Sequence, residues 1–540
     1  MRLKTSMVVV SCGVLVACGV PSEPERRATS SQHNASVQYD VSAAAAAPRH
    51  EASVSRRAAP VAKMLVQDNE RYGNIQENSV KQVSQDPVST FSADVDTGSY
   101  ANVRRFLNEG RLPPQDAVRV EELINYFPLD AKLKAQSPHP FALATEVVDS
   151  PWLKDAKLLR IVIQAQEKKL HELPPANLVF LVDVSGSMYS PDKLPLAQKT
   201  LHLLTEQLRP QDKVTLITYA SGTKVLISAA SGRNKAALRE AIDSLKAEGS
   251  TAGADAMEKA YEQAKKHYIN DGINRILMMT DGDFNVGTVD FNTLKSRVAK
   301  QRLGGVSLTT LGFGTGNYNE QLMEQMADAG DGNYSYIDNE KEAKKVLQQQ
   351  LTSTLATVAS DVKIQVEFNP NSVSQYRLIG YENRLLNQED FNNDQKDAGE
   401  VGAGHTVTAL YEFVPQGKKG WLSESRYQTP KNTNAHAQEY AQVNVRYKPV
   451  NAQKSVLLSH IVPITGSHSL AHASSDTRFT IAVATYGQLL RDNSMVGNAS
   501  WNEVSQWGKE AMGKDEFGLR REFLDLVDKA RKLTPTRSRD

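Results

Sequence analysis

From Ala176 to Val358 the chain repeats one arrangement: a strand with no polar face, a turn, and a stretch with helical spacing. The strands read "ANLVFLVDV" (Ala176 to Val184), "KVTLITYA" (Lys213 to Ala220), "NRILMMTDG" (Asn274 to Gly282) and "VSLTTLGFG" (Val306 to Gly314), with "TKVLIS" and "GNYSYI" as shorter ones. Helical spacing runs through Asp192 to Leu208, Asn234 to Lys246, Ala252 to Tyr268, Asn292 to Leu303, Asn319 to Ala329 and Lys341 to Val358. A strand that is apolar on both sides has to be covered on both sides. The segment therefore predicts an α/β fold, a doubly wound and mostly parallel sheet with helices on each face. In such sheets ligands bind beyond the carboxyl ends of the strands, and Asp183 and Asp281 both fall there.

The rhythm changes on either side. "PFALATEVVDSPWLKDAKLLRIVIQAQ" (Pro140 to Gln166) has the alternation of two antiparallel strands. After about Asp361, "DVKIQVEFN", "SQYRLIGYE", "HTVTALYEFV" and "AQVNVRYK" are short alternating strands between polar loops, as in a sandwich. Two strands are too few to be stable alone, and the later set does not complete a sandwich by itself. The expectation is an α/β domain inserted in, or flanked by, a β-sandwich-like domain assembled from both sides of it. Ser89 to Phe127 begins like a strand and continues with helical spacing (Val103, Phe106, Leu107, then Val120, Leu123, Ile124, Phe127), and the C-terminal part is helical with apolar faces that close against the sandwich. The expected layout is a leader over 1–17, a tether over 18–84, an N-terminal segment over 85–135, flanking strands over 136–170, the α/β domain over 171–360, a β-rich domain over 361–465 and a helical region over 466–540.

The start of the chain sets the expected location. Arg2 and Lys4 precede an apolar run too short to span a bilayer, which reads as a secretory signal. Its end, "LVAC" (Leu15 to Cys18), resembles the bacterial lipobox, in which the cysteine receives acyl chains, palmitate among them, and becomes the mature N-terminus. Gly19 follows the cysteine where an inner-membrane retention signal of such lipoproteins would have Asp, so the expected place is the outer membrane, facing the periplasm. The next stretch, rich in Ala, Ser, Gln, Arg and Pro, reads as a disordered tether. Only Cys12 and Cys18 exist, so the mature protein has no disulfide and depends on packing. The formal charge is +1, with 63 basic and 62 acidic residues and no dense basic run, which excludes a nucleic-acid binder.

The stretch "FLVDVSGSMYS" (Phe180 to Ser190) places Asp183, Ser185 and Ser187 at two-residue spacing where an apolar strand ends. Asp and Ser also serve as helix N-caps, so the spacing alone proves little. Two further oxygens stand at corresponding places: Thr251 in "EGSTAGADA", ahead of a helix, and Asp281 in "LMMTDGDFNVG", at another strand end. Hard divalent cations such as Mg²⁺ prefer carboxylate and hydroxyl oxygens. Two carboxylates balance a +2 ion, and neutral hydroxyls leave it electrophilic toward one more anionic ligand.

Together Asp183, Ser185, Ser187, Thr251 and Thr280-Asp281-Gly282 resemble the metal-ion-dependent adhesion site of the von Willebrand factor A (VWA) domain, over roughly Ala176 to Ser360. Ser89 to Phe127, "RLIGYENRLL" and "DAGEVGAGHTVTALYE" extend the likeness to the bacterial VWA lipoproteins of the YfbK type. The resemblance implies divalent-cation-dependent protein binding in the cell envelope, with Mg²⁺, or else Mn²⁺ or Ca²⁺, held at Asp183, Ser185, Ser187, Thr251 and Asp281. An envelope protein would supply a Glu or Asp to the metal. It also implies no enzymatic activity.

The alternative is a Mg²⁺-dependent phosphohydrolase. Against it stand the lack of a Lys or Arg next to the carboxylates in the motif, of a glycine-rich phosphate loop and of a His general base. Three weaker motifs are set aside. "DVDT" (Asp94 to Thr97) has its Thr one residue too early for a dehalogenase-type phosphatase nucleophile, and reads as a helix-capping turn. The acidic loop Asn387 to Gly404 has Gln395 where an EF-hand needs Gly and Val401 where it needs Glu. His468 and His472 lack the Glu of a zinc-protease motif.

Overall fold

A computed structural model describes residues 69–93, 96–135, 138–251, 253–282, 290–349, 351–396, 398–423, 436–450 and 452–535. The central α/β domain is a six-stranded sheet in the order Tyr334–Ile337, Ser307–Phe313, Ile273–Thr280, Ala176–Asp183, Lys213–Tyr219 and Thr223–Ser231. The first five are parallel and the last is an antiparallel edge. Every residue of Ala176–Asp183 is buried. Leu178, Phe180 and Val182 pack on one side, against helices Leu194–Gln207, Lys235–Asp243 and Glu340–Gln349, while Val179 and Leu181 pack on the other, against Gly253–Lys266, Phe291–Arg302 and Glu320–Ala329. Each such side chain stabilises the fold by about 1.5–3 kcal/mol, which is why no polar face survives in these strands.

The flanking strands form two antiparallel sheets. One runs Lys81–Gln82, Val373–Ile379, Thr406–Pro415, Lys157–Ala165, Phe141–Asp149, and the other Leu385–Leu386, Val88–Ser92, Thr357–Phe368, Glu439–Pro449, Val456–Pro463. Their inner faces share one core, with Phe368 stacked on Tyr376 at 4.4 Å and Phe141 edge-on to Tyr447 at 4.9 Å between ring centroids. The expected insertion is present: Lys157–Ala165 pairs with Thr406–Pro415, from Lys157 opposite Phe413 to Gln164 opposite Thr406. The two ends of the inserted domain meet at this seam. Ala403 N–H donates to Ala356 O at 2.8 Å, and the next residue, Gly404, donates to Gln166 O at 3.1 Å.

Two boundaries differ from expectation. The last helical stretch does not reach Val358: helix is described over Glu340–Gln349 and Leu351–Leu355 and gives way to strand Thr357–Phe368. The β-branched Thr357 and Val358 fit the pleated ladder better than a helix. The tether also ends earlier than residue 84, because the described chain is already docked at Asn69. Asn69 N–H donates to Gly316 O at 2.9 Å, Arg71 N–H to Tyr318 O at 2.8 Å, and Glu320 N–H returns to Arg71 O at 3.1 Å. The side chain of Glu70, 2% exposed, accepts from Gly316 N–H at 2.9 Å and pairs with Arg105 at 2.7 Å. Residues 1–68, with the leader and Cys18, lie outside the described residues.

The C-terminal helices Ser475–Leu490, Trp501–Glu510 and Leu519–Leu533 cover the outer face of the first sheet together with Gly98–Asn108 and Val120–Asn125. Leu158, Leu410 and Ile379 project into that second core. Arg104, on Gly98–Asn108, ties three regions together. Its guanidinium reaches Asp338 at 2.5 Å and Glu342 at 2.7 Å beside the last helix of the α/β domain, and Glu522 at 2.9 Å on Leu519–Leu533. No described helix is long and apolar enough to cross a membrane.

Candidate metal centre

The apolar strand Ala176–Asp183 carries Asp183 to the rim of the sheet, where the backbone turns at once. Val184 N–H donates to Tyr219 O at 3.0 Å, and Val184 O accepts from Glu248 N–H at 2.7 Å. The motif then forms a single 3-10 turn, Gly186–Tyr189, with Gly186 N–H bonded to Gly249 O at 2.9 Å. The expected helix follows within two residues of its predicted start. It starts at Leu194, with Lys193 as its N-cap residue and Pro195 in its first turn.

Asp183 and Asp281 are both 0% exposed. One Asp183 oxygen accepts from Ser185 N–H at 2.9 Å and the other from the Thr280 hydroxyl at 2.8 Å, and that hydroxyl in turn accepts from Gly282 N–H at 3.2 Å. Burial pushes the Asp183 carboxyl up to about 6, with a further push from Asp281 and against the pull of hydrogen bonds from Ser185 and Thr280. The Ser185 and Ser187 hydroxyls lie 3.1 Å apart. Thr251, half-buried, stands two residues beyond Gly249 in the loop stitched to the motif turn, ahead of helix Gly253–Lys266. Gly282 has φ +78°, and a Cβ there would come within 2.7 Å of Asn319 N, so the chain passes under the next loop only as glycine.

Two site residues were not expected. Lys193 Nζ donates to Asp281 Oδ2 at 2.9 Å and to Asn317 Oδ1 at 2.7 Å, and Asn317 Nδ2 donates to the same Asp281 oxygen at 3.2 Å. A cation therefore does stand beside the carboxylates, which corrects the sequence argument that none does. The motif shows no such residue because Lys193 lies six positions beyond Ser187 and returns to the site by folding. Asn317 follows strand Ser307–Phe313. The rule that located Asp183 and Asp281 at strand ends would have located it as well.

The remaining motifs are structural where described. Asp96 accepts from Tyr334 N–H at 2.8 Å and pairs with Arg384 at 3.1 Å, while Asp94 lies outside the described residues. Asp390 accepts from Asn387 at 3.1 Å within the loop, and Asp394 accepts from Ser455 N–H at 3.3 Å, which ties the loop to the turn before strand Val456–Pro463. His472 Nδ1 is 2.8 Å from Ser469 Oγ, and His468 joins Val147 through its backbone at 3.1 Å. Among the described residues no group of three or more His, Cys, Asp or Glu side chains is placed to hold a metal ion.

Three family models match in succession: one described as von Willebrand factor over residues 66–160, the von Willebrand factor type A domain over 177–350, and "Uncharacterized protein YfbK, C-terminal" over 353–533. A relative from Escherichia coli (strain K12), described as uncharacterized protein YfbK, is 48% identical over 473 residues, covering 86% of this chain and 81% of the relative. The chain belongs to the YfbK family. An uncharacterized protein of Synechocystis sp. is 30% identical over 207 residues, 38% of this chain and 48% of that protein. Among solved structures, a von Willebrand factor type A protein from Catenulispora acidiphila aligns over 72% of this chain and 92% of its own with a TM-score of 0.37 and 14% identity.

Within this YfbK-family chain the VWA fold places an all-oxygen donor set at the strand ends. Asp183 is oriented by neutral donors, and the two serine hydroxyls face each other, a chemistry that suits a hard divalent cation. Asp183, Ser185, Ser187 and Asp281 would hold such an ion, with Thr251 placed near them only through its loop, whose Gly249 accepts from Gly186 N–H.

Proposed function

We propose that this protein is an envelope-anchored VWA binding module, not an enzyme, which joins a partner protein through a divalent cation, Mg²⁺ before Mn²⁺ or Ca²⁺. The observation that carries this reading is the pair of fully buried carboxylates, Asp183 and Asp281, at neighbouring strand ends beside the hydroxyls of Ser185 and Ser187. Buried charges persist where something compensates them. Lys193 already pairs with Asp281, whereas Asp183 is met by neutral donors, so a bound cation would compensate that second charge and offer an open position to a Glu or Asp of the partner. Ser185 N–H and Thr280 hold the Asp183 carboxylate in one orientation, so little rearrangement is needed on binding. The test is capture of partners from envelope extracts on the mature protein, with and without chelator. Partners retained in Mg²⁺ and released by chelator are the expected result. Retention that ignores chelator, or turnover of generic phosphoesters in Mg²⁺, would favour the phosphohydrolase alternative or a metal-independent surface.

The proposed location is the periplasmic side of the outer membrane, by lipid attached to Cys18. "LVAC" and the following Gly19 support it, and acyl chains anchor by burying their methylenes. Cys18→Ser should leave the chain as precursor or release it in soluble form. Unchanged membrane fractionation of that variant, with no labelled palmitate in the parent, would remove the anchor from this proposal.

A further inference from the structure

The cation beside the proposed metal site is part of the fold. Lys193 is 6% exposed and caps helix Leu194–Gln207. Its stem runs across Gly314: a Cβ at Gly314, where φ is +79°, would lie 2.2 Å from Lys193 Cγ, so glycine is what admits the side chain. The ammonium group then meets Asp281 Oδ2 at 2.9 Å and Asn317 Oδ1 at 2.7 Å. The adjacent carboxylate, Asp192, is turned to other partners, the hydroxyls of Ser190 and Thr315. The loop carrying Asn317 is held from behind by the backbone bonds of Asn69 and Arg71.

Charge counting gives this arrangement a consequence. Asp183 and Asp281 alone would neutralise a divalent ion. Together with Lys193 these two carboxylates sum to one net negative charge, and to one net positive charge once the divalent ion is added. Asp281 is 0% exposed and the Lys193 side chain 7%, so solvent screens little of this. We infer that Lys193 is the built-in counter-cation of the metal site: it keeps affinity for a lone divalent ion low and makes the ion and a partner carboxylate bind cooperatively. By linkage, each raises the affinity for the other by the same factor. A partner is then required for tight metal binding, and a metal for tight partner binding. This rests on the metal reading proposed above, which supplies the ion.

The experiment is calorimetric titration of Mg²⁺ and Mn²⁺ into the mature protein, wild type and Lys193→Met, with and without sodium acetate as a carboxylate probe. Methionine keeps the stem that packs on Gly314 and removes the charge. Lys193→Met should bind Mg²⁺ about tenfold more tightly in the absence of acetate, as removal of one buried charge next to the ion predicts, and should gain less from acetate than wild type does. Its thermal midpoint should also rise more on adding Mg²⁺, because apo Asp281 then lacks the Lys193 ammonium group. Lys193→Gln, which restores a polar group without charge, should behave like Lys193→Met. Asn317→Ala removes only the neutral neighbour and should leave Mg²⁺ affinity within about threefold. Equal or weaker Mg²⁺ binding by both Lys193 variants, beside saturable binding by wild type, overturns the counter-cation role and leaves the metal site standing. Tightening by Asn317→Ala equal to that of Lys193→Met also overturns it, since loosening of Asp281 would then be the cause. Absence of ion binding in every protein removes the metal reading itself.

Discussion

Asp183→Ala is expected to lower Mg²⁺ and Mn²⁺ affinity by at least about a hundredfold, because it removes one of two carboxylates from the proposed set. Chelator-sensitive partner capture should disappear with it. The fold should survive, since Asp183 ends its strand at the rim of the sheet. The local cost is the orphaning of Ser185 N–H and the Thr280 hydroxyl, which both donate to Asp183, about 1–3 kcal/mol each before water enters the vacated space. Calorimetry on this variant, paired with thermal unfolding, separates the two effects. Undiminished Mg²⁺ binding in a folded Asp183→Ala protein means that the site has been placed wrongly.

Arg104→Met should be the most damaging single change to stability. The Arg104 side chain is 3% exposed and its partners Asp338 and Glu342 are 4% and 2% exposed, so the substitution leaves two carboxylates buried without their guanidinium. Tyr126, which donates to Glu342, and Glu522 lose the same partner. Breaking a buried pair from one side costs about 3–5 kcal/mol, far more than the pair contributes over an apolar replacement. Denaturant unfolding followed by circular dichroism gives the number, and a loss below about 1 kcal/mol would show that this clasp is dispensable. The pH dependence follows from linkage. Burial already holds the Asp338 carboxyl above its usual range against the pull of Arg104, and without Arg104 it rises further, a contribution that favours folding at low pH and is lost as pH rises. The variant should therefore recover stability relative to wild type as pH falls from about 7 to about 5.

How far the sequence leads depends on where each element finds its partners. The strands of the central sheet are legible because burial on both faces forces an unbroken apolar run, as in Leu178 to Val182. Asp183, Ser185, Ser187 and Asp281 are legible because their spacing is local or ends such a run. Asn317 is legible by the same strand-end rule, but Lys193 is not, since its role arises from which loops the topology sets side by side. The segment from Asn69 to Ser84 looks like tether because it offers few large apolar side chains. It is held by main-chain bonds of Asn69 and Arg71 to Gly316 and Tyr318, by polar side chains such as Glu70 and Asn78, and by the short strand Lys81–Gln82, and hydropathy does not register those. Strand Val456–Pro463 escapes pattern reading for the opposite reason: Leu457 and Ile461, 45% and 41% exposed, make its outer face as apolar as the inner face of Leu458 and Val462, so no alternation appears.

The seam between Lys157–Ala165 and Thr406–Pro415 has a consequence in time. Gln164 and Thr406, opposite one another in the ladder, are 242 positions apart in the chain. The chain delivers its strands in order wherever folding begins, so Lys157–Ala165 is free to fold well before Thr406–Pro415 becomes available. The six strands of the VWA sheet lie within that interval and are consecutive, so this domain can close while the hairpin Phe141–Asp149 with Lys157–Ala165 still waits for its neighbour. During that wait Leu158, Leu159, Ile161 and Ile163, all buried in the finished protein, have neither the second sheet nor the C-terminal helices to cover them. Aggregation risk during biogenesis is concentrated in this one hairpin, and it ends only when the last third of the chain arrives.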